Sequence, residues 1–319
     1  MKKYDVVALG ELLIDFINNG ISAQGNPLFE ANPGGAVCNV LAMLNKLGHK
    51  TAFIGKVGED IFGHQLKKVL DEINIDTAGL LMDKEVRTTL AFVANDETGE
   101  RSFSFYRNPG ADMMLCADEV SEEAIRSARM FHFGTLSMTH ELVREATKRA
   151  LDMAKENGLL ISFDPNLRES LWDTLENAKT QVDYGLHYCD VLKISDNEIQ
   201  WFTGEEDFDK GIKILQDKYH VPLILLSMGK EGSRAYYKDL RVEVPGFIQE
   251  KTIETTGAGD TFFGSCLHFV LEKGLEDLKE SDLKEMLKFA NAAASIITTR
   301  KGALKVMPAE EEVRLLTEK

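Results

Sequence analysis

The runs YDVVALG, TAFIG, RMFHFG, LLISF, DVLKI and PLILLS are continuous apolar stretches, and segments of helical character separate them. A strand with one wet face alternates apolar and polar residues, whereas a strand covered by helices on both faces does not. The pattern therefore predicts a parallel sheet in one α/β domain, with no repeat, low-complexity tract or linker to divide it. Each run ends in a polar or glycine-rich stretch: Gly10-Glu11, KVGED from Lys56, Gly134-Thr135, DPNLR from Asp164, SDNE from Ser195 and MGKEG from Met228. Any one of these reads equally well as a solvated loop. Together they predict one long crevice, because ligands of open parallel sheets bind at the carboxyl ends of the strands.

One segment breaks the rhythm. RTTLAFVANDETGERSFSFYR, residues 87–107, alternates on both sides of a polar turn containing Gly99, the pattern of an antiparallel hairpin with Arg107 at its return. With the extended piece near residues 12–31, the stretch 87–108 forms either a small sheet projecting over the crevice as a lid or an ordinary edge hairpin.

Composition narrows the partners. The 319 residues carry 37 Lys and Arg against 52 Asp and Glu, a net charge of −15, which disfavours nucleic acid and anionic membranes. Any polyanion must be held by local groups. Cys38, Cys116, Cys189 and Cys266 are too scattered for a zinc motif or a disulfide framework, so a reducing cytoplasm is the expected setting. Glu11 and Asp15 interrupt the apolar start, and no uncharged stretch approaches the ~18 residues of a membrane span.

The densest chemistry lies in IETTGAGDTFFGSC, residues 253–266. Gly257, Ala258 and Gly259 leave backbone N–H groups uncovered at a helix start, where the helix dipole adds to them, and make an anion cradle. Asp260 sits beside that cradle. Taken alone it reads as an ordinary first-turn acid; with the Gly-Ala-Gly and the Thr pair it reads as a base for a hydroxyl that attacks the held anion. A second cluster, PGGAVCNVLAMLNKLG at residues 33–48, predicts a helix with an apolar face of Val37, Val40, Leu41, Leu44 and Leu47, stopped by Gly48. Asn39 interrupts its opening and leans toward Gly34 and Gly35, either to read a ligand's hydroxyls or as a satisfied buried amide. In FANAAASIITTRKGA, Asn291 precedes three alanines that permit close helix packing.

Pro33-Gly-Gly-x-x-x-Asn39, Thr256-Gly-Ala-Gly-Asp260 and the Asn291 helix ending in TRKGA together resemble the ribokinase and fructokinase family of sugar kinases, the PfkB family, over nearly the whole chain. FSFYRNPGADMML (103–115) and FDPNLRESLW (163–172) resemble the fructokinase branch; ketodeoxygluconate and aminoimidazole riboside kinases carry similar stretches. The resemblance implies a ribokinase-like three-layer α/β/α domain with a mainly parallel sheet and a small β lid, spanning residues 1–319. It implies transfer of the γ-phosphoryl of ATP, with Mg²⁺, to a sugar hydroxyl, most simply fructose to fructose 6-phosphate. Asp260 becomes the base and the amides of Gly257, Ala258 and Gly259 the anion hole. Asp15, Gly34, Gly35 and Asn39 hold the sugar, and Arg107 and Arg168 meet the sugar or the transferred phosphate. Lys193, Ser195 and Glu198 in LKISDNE lie near the phosphates and the magnesium-bound waters. Ser227, Gly229 and Gly232 form the nucleotide loop, and Asn291 lies beside adenine. Such a division suits phosphoryl transfer, which needs mostly positioning and charge neutralisation.

Two departures stand out. Val37-Cys38 replaces the Pro-Ala common in fructokinases. Glu254 replaces the family's Asp, which helps hold a monovalent cation such as K⁺ together with carbonyls from Thr256 and the Arg300–Gly302 loop. Its extra methylene either crowds that site or turns the carboxylate into the loop, weakening the dependence on K⁺, or is absorbed by a slight backbone shift that leaves the ion bound normally. No Gly-x-Gly-x-x-Gly follows the first strand, and neither a Gly-x4-Gly-Lys-Ser/Thr loop nor the protein-kinase motifs occur, which argues against those enzyme classes. A non-catalytic sugar- or nucleoside-binding regulator on the same fold is the remaining rival. The edges of an exposed lid sheet also offer a place for a second subunit in a homodimer.

Overall fold

The computed structural model describes residues 2–95 and 101–318. Its strands are β1 (Tyr4–Leu9), β2 (Leu13–Ile21), β3 (Pro27–Gly34), β4 (Thr51–Gly58), β5 (Asp76–Asp83), β6 (Leu90–Asn95), β7 (Arg101–Tyr106), β8 (Ala128–Gly134), β9 (Leu160–Asp164), β10 (Val191–Ser195), β11 (Leu223–Ser227), β12 (Ser233–Tyr237) and β13 (Leu240–Val244). The helices are α1 (Ala36–Lys46), α2 (Ile61–Glu72), α3 (Glu122–Arg126), α4 (Glu141–Glu156), α5 (Leu175–Leu186), α6 (Asp196–Thr203), α7 (Phe208–Tyr219), α8 (Ala258–Lys273), α9 (Glu280–Ile297) and α10 (Glu310–Thr317).

A nine-stranded sheet runs β13-β12-β11-β10-β9-β8-β1-β4-β5, parallel from β11 to β5. The six apolar runs are its central strands. Their lack of alternation has a direct cause: Val6 and Ala8 face the core shared with α1, α8 and α9, while Val7 and Leu9 face the core shared with α4, α5 and α7. The strands that the apolar runs did not reveal lie at the edges. β5 is half-buried and reads DTAGLLMD, and β12 and β13 form an antiparallel hairpin turned at Lys238 with φ of +51°. An edge strand needs less apolar cover, so its sequence signal is weaker.

Residues 13–34 and 90–106 contribute a second sheet, β3-β2-β6-β7, in which β2 and β6 are parallel and the other pairs antiparallel. The Gly99 turn lies outside the described residues. Phe16 of β2 stacks on Phe92 of β6 at 4.8 Å between ring centroids and meets Phe62 of α2 edge-on, which ties the small sheet to the large one. Phe29 and Tyr106 pack edge-on against Phe92 on the same face yet remain exposed, as do Ile21 and Leu28. Among the described residues, no helix is long and apolar enough to cross a membrane.

The sheet order reverses between β8 and β1, so the loops leaving these two strands diverge and open a crevice. The end of β1 is shaped for it. Gly35 adopts φ of +137°, and a Cβ there would lie 2.3 Å from the Glu11 carbonyl oxygen. The Glu11 carboxylate accepts from the Ala36 amide at 2.6 Å and so caps α1 from the neighbouring loop.

Candidate active site

Two cavities occupy the crevice. The smaller, about 310 Å³, lies at the switch point under the small sheet, with Leu13 and Asp15 from β2, Phe105 from β7, Asn39 from α1, Arg168 after β9 and Asp260 from α8 in its wall. The larger, about 590 Å³, follows the ends of β10 and β11, with Ser195, Ser227, Gly229, Gly232 and Phe247 among its lining. Lys193, Thr255 and Gly259 line both. Both volumes lie in the range of small-molecule sites.

The junction is the turn into α8. Gly257 begins the helix in a left-handed conformation, φ of +77°, and a Cβ there would stand 2.7 Å from the Ala303 methyl. No side chain caps this end. The Ala258 amide turns back onto the Thr255 carbonyl at 3.2 Å. A Cβ on Gly259 would stand 3.4 Å from Lys193 Nζ, so the ammonium hangs over the turn and adds its charge to the helix dipole.

The charges here are buried and interdependent. Asn39 Nδ2 donates to Asp260 Oδ2 at 2.7 Å. Burial pushes the Asp260 carboxyl up, against the opposing pull of Asn39, Lys193 and Arg168. Lys193 Nζ lies 3.1 Å from the Asp164 carboxylate. Burial works against its charge, but Asp164, Glu198 and Asp260 outweigh burial and hold the ammonium above its ordinary value. Asp164 is pushed up to about 7, mainly by burial. Asp15 also rises to about 7, through burial and then the Glu254 charge. A cationic turn flanked by a hydrogen-bonded carboxylate can hold an anion and take a proton beside it.

Residues 3–310 match the pfkB family carbohydrate kinase profile. The chain belongs to the pfkB family of carbohydrate kinases. It is 41% identical over 316 residues to fructokinase-1 of Zea mays, covering 98% of each chain. The crystal structure of an ATP-bound fructokinase from Xylella fastidiosa superposes with a TM-score of 0.90 at 30% identity, covering 100% of this chain and 99% of the other. A fructokinase double mutant from Vibrio cholerae, in fructose, ADP and potassium ion bound form, gives 0.86 at 29% identity, with 99% of each chain covered. The fold is the ribokinase-like α/β architecture of these carbohydrate kinases.

Within this pfkB kinase most of the residues singled out from sequence converge. Asp15, Gly35, Asn39, Arg168, Thr256, Gly257, Gly259 and Asp260 line the small cavity, and Ser195, Ser227, Gly229, Gly232, Ala258 and Asn291 the large one. Gly34 stands behind Asp15, whose Oδ2 occupies the space where a Cβ would fall, 2.3 Å away. Arg107 differs from expectation. Its buried guanidinium is paired with Asp112 at 2.7 Å and also donates to Thr139 Oγ1 and the Leu136 carbonyl, so it braces the loop after β8 rather than lining the cavity. Asn291 reaches the large cavity, but its amide accepts from Ser233 and donates to the carbonyls of Val244 and Pro245, clipping β12 and β13 to α9. Glu198 closes a capping box with Ser195 and accepts from the Leu167 amide. Burial raises its carboxyl, but Lys193 and these donors outweigh burial and keep it below the ordinary value. The KVGED stretch, which ends β4 and leads into α2, leaves the crevice altogether, because Lys56 pairs with Glu119 and Asp60 caps α2. Sequence reasoning did not assign Glu11, Leu13, Phe105, Leu136 and Asn166 to the small cavity, nor Phe247 to the large one. Glu11 and Asn166 had a signal, since each lies in a polar stretch directly after an apolar strand; the others had none.

Glu254 is buried beside the junction. Its Oε2 accepts from the Gly302 amide at 3.1 Å, while Oε1 is buried without a hydrogen-bond partner. The Arg300 side chain turns away to the Val306 carbonyl and Glu312.

Proposed function

We propose that this kinase uses ATP to phosphorylate fructose at its 6-hydroxyl. The observation that carries the reading is the meeting of a small polar cavity and a larger cavity at one glycine turn, with Asp260 on the small-cavity side and Lys193 over the turn. The sugar occupies the small cavity, held by Asp15, Asn39 and Arg168, and ATP the large one. Asp260 takes the proton of the attacking hydroxyl. The amides around Gly257–Gly259, with Lys193 and Arg168, neutralise charge on the transferring group. Sugar choice follows the relatives named fructokinase at about 41% identity over nearly the full chain.

Mg²⁺ bound with ATP would neutralise phosphate charge. Glu198 suits a water-mediated role: it is kept ionised, and its oxygens already accept from Ser195 and Leu167. K⁺ fits beside Glu254, where a buried carboxylate oxygen has no partner. The small sheet acts as the lid of one kinase domain. Its exposed Ile21, Leu28, Phe29 and Tyr106 suit cover by a second copy of the chain.

The test is ADP release against fructose, ribose, ketodeoxygluconate, aminoimidazole riboside, adenosine and glucose. Fructose should give the highest kcat/KM, by at least ~10-fold. Equal use of ketodeoxygluconate removes the fructose assignment and leaves a sugar kinase. Nucleotide binding with no turnover on any sugar would favour the regulator.

A further inference from the structure

At the opposite end of the sheet from both cavities, the turn between α1 and β4 meets the C-terminal half of α8. There His49 Nε2 lies 2.8 Å from His268 Nδ1. Glu272 follows His268 by one helical turn on the same face of α8. One ligand atom from each of His49, His268 and Glu272 falls within 4.8 Å of the others. From this juxtaposition we propose that His49, His268 and Glu272 form a binding site for a divalent transition-metal ion of the Zn²⁺ type, which clamps α8 to the α1–β4 turn.

The donor set selects the class of ion. Two imidazoles and one carboxylate suit Zn²⁺, Co²⁺ or Ni²⁺, whereas Mg²⁺ prefers oxygen ligands alone. Three protein ligands with an exposed Glu272 leave a fourth position for water, the arrangement of an open zinc site.

Groups around the pair support it. His49 is buried, and its Nδ1 faces Asp5 Oδ2 at 3.8 Å. Asp5 is itself fixed by the Lys50 amide and by Arg129, whose guanidinium also donates to the Leu271 carbonyl of α8. A carboxylate on Nδ1 keeps the proton there and turns the Nε2 lone pair toward His268, as supporting carboxylates do for metal-bound histidines. Burial, and for His49 also the neighbouring His268, holds both imidazoles below the ordinary histidine value, so neither need lose a charge to bind metal.

The geometry needs a small adjustment. Tetrahedral ligands at about 2.0–2.1 Å stand roughly 3.3 Å apart, so the rings must open by about 0.5 Å. The half-buried His268 ring, tilted 62° to that of His49, can supply this at its exposed side. In the metal-free protein the same pair shares one proton in a hydrogen bond. Binding requires His268 to carry its proton on Nε2 instead, with no net release.

None of the three residues lines either cavity, and Asp260 lies eight residues before His268 on α8, about 12 Å along the axis. The site is thus separate from phosphoryl transfer, although the helix it clamps is the one that opens the anion cradle.

The experiment titrates tag-free, nucleotide-free full chain with Co²⁺ in excess Mg²⁺, reading visible d–d absorption and the melting temperature, followed by displacement with Zn²⁺. One equivalent of four-coordinate Co²⁺, displaced by Zn²⁺ and accompanied by a higher melting temperature, is expected. His268→Gln should abolish the absorption. Glu272→Gln, at an exposed position that folding does not need, should weaken binding by at least about tenfold. Absence of a saturable band in the wild type overturns the proposal. So does unchanged affinity in Glu272→Gln, which decides the matter even where His268→Gln fails to fold.

Discussion

Asn39 and Asp260 stand 221 positions apart in the chain, yet the Asn39 amide donates to the Asp260 carboxylate at 2.7 Å. The start of α1 thereby orients the acid at the start of α8 and favours its ionised form against burial. Asp260→Asn should lower kcat by at least ~10²-fold with ATP binding nearly unchanged, because the amide keeps the shape but cannot take a proton. Asn39→Ala removes a group that lowers the Asp260 pKa, so the acidic limb of the kcat profile should move to higher pH. Near-normal turnover in Asp260→Asn would sink the base assignment.

Asp15 gives a pH signature in stability. Its folded value is about 7, while an unfolded aspartate titrates at about 4. The folded state therefore binds the proton more tightly. The stability this contributes is full below about 4 and is lost as pH rises to about 7. Asp15→Asn lacks this loss. In ligand-free protein its melting temperature should gain on the wild type between these values and level off above them. A pH-independent difference would contradict the shift.

Lys193 and Asp164 are a buried pair, with side chains 8% and 4% exposed. Lys193→Met leaves Asp164 without its cation and should destabilise the chain by about 3–5 kcal/mol in urea unfolding. Pairing it with Asp164→Leu should recover part of that stability, because Asp164 is then no longer buried without its cation, while Glu198 and Asp260 still lack theirs. Activity should stay low in both. Recovery of kcat/KM along with stability would show that Lys193 acts through folding alone.

Glu254 turns one oxygen into the loop, onto the Gly302 amide, and leaves the other buried and unpartnered. K⁺ added to a buffer of bulky organic cations should activate the wild type weakly. Glu254→Asp, which withdraws the carboxylate by one methylene, should sharpen the response, and Glu254→Gln should flatten it. Strong activation of the wild type, unchanged in Glu254→Asp, would overturn this.

The features that the sequence alone determined are those encoded within one short segment. Continuous apolar runs mark the central strands because each strand is buried on both faces, and Gly257 marks the α8 turn because its backbone is left-handed and crowded against Ala303. The resemblance extended this to a list of site residues, most of which the fold gathers around two cavities. What only the tertiary structure decided are pairings between distant segments. Arg107 is taken up by Asp112, Thr139 and Leu136, Asn291 clips a hairpin, and His49 meets His268. A side chain's composition states what it can bond. Which partner it meets is fixed by strand order and helix packing, because a buried polar group can bond only to what the fold brings within about 3 Å of it.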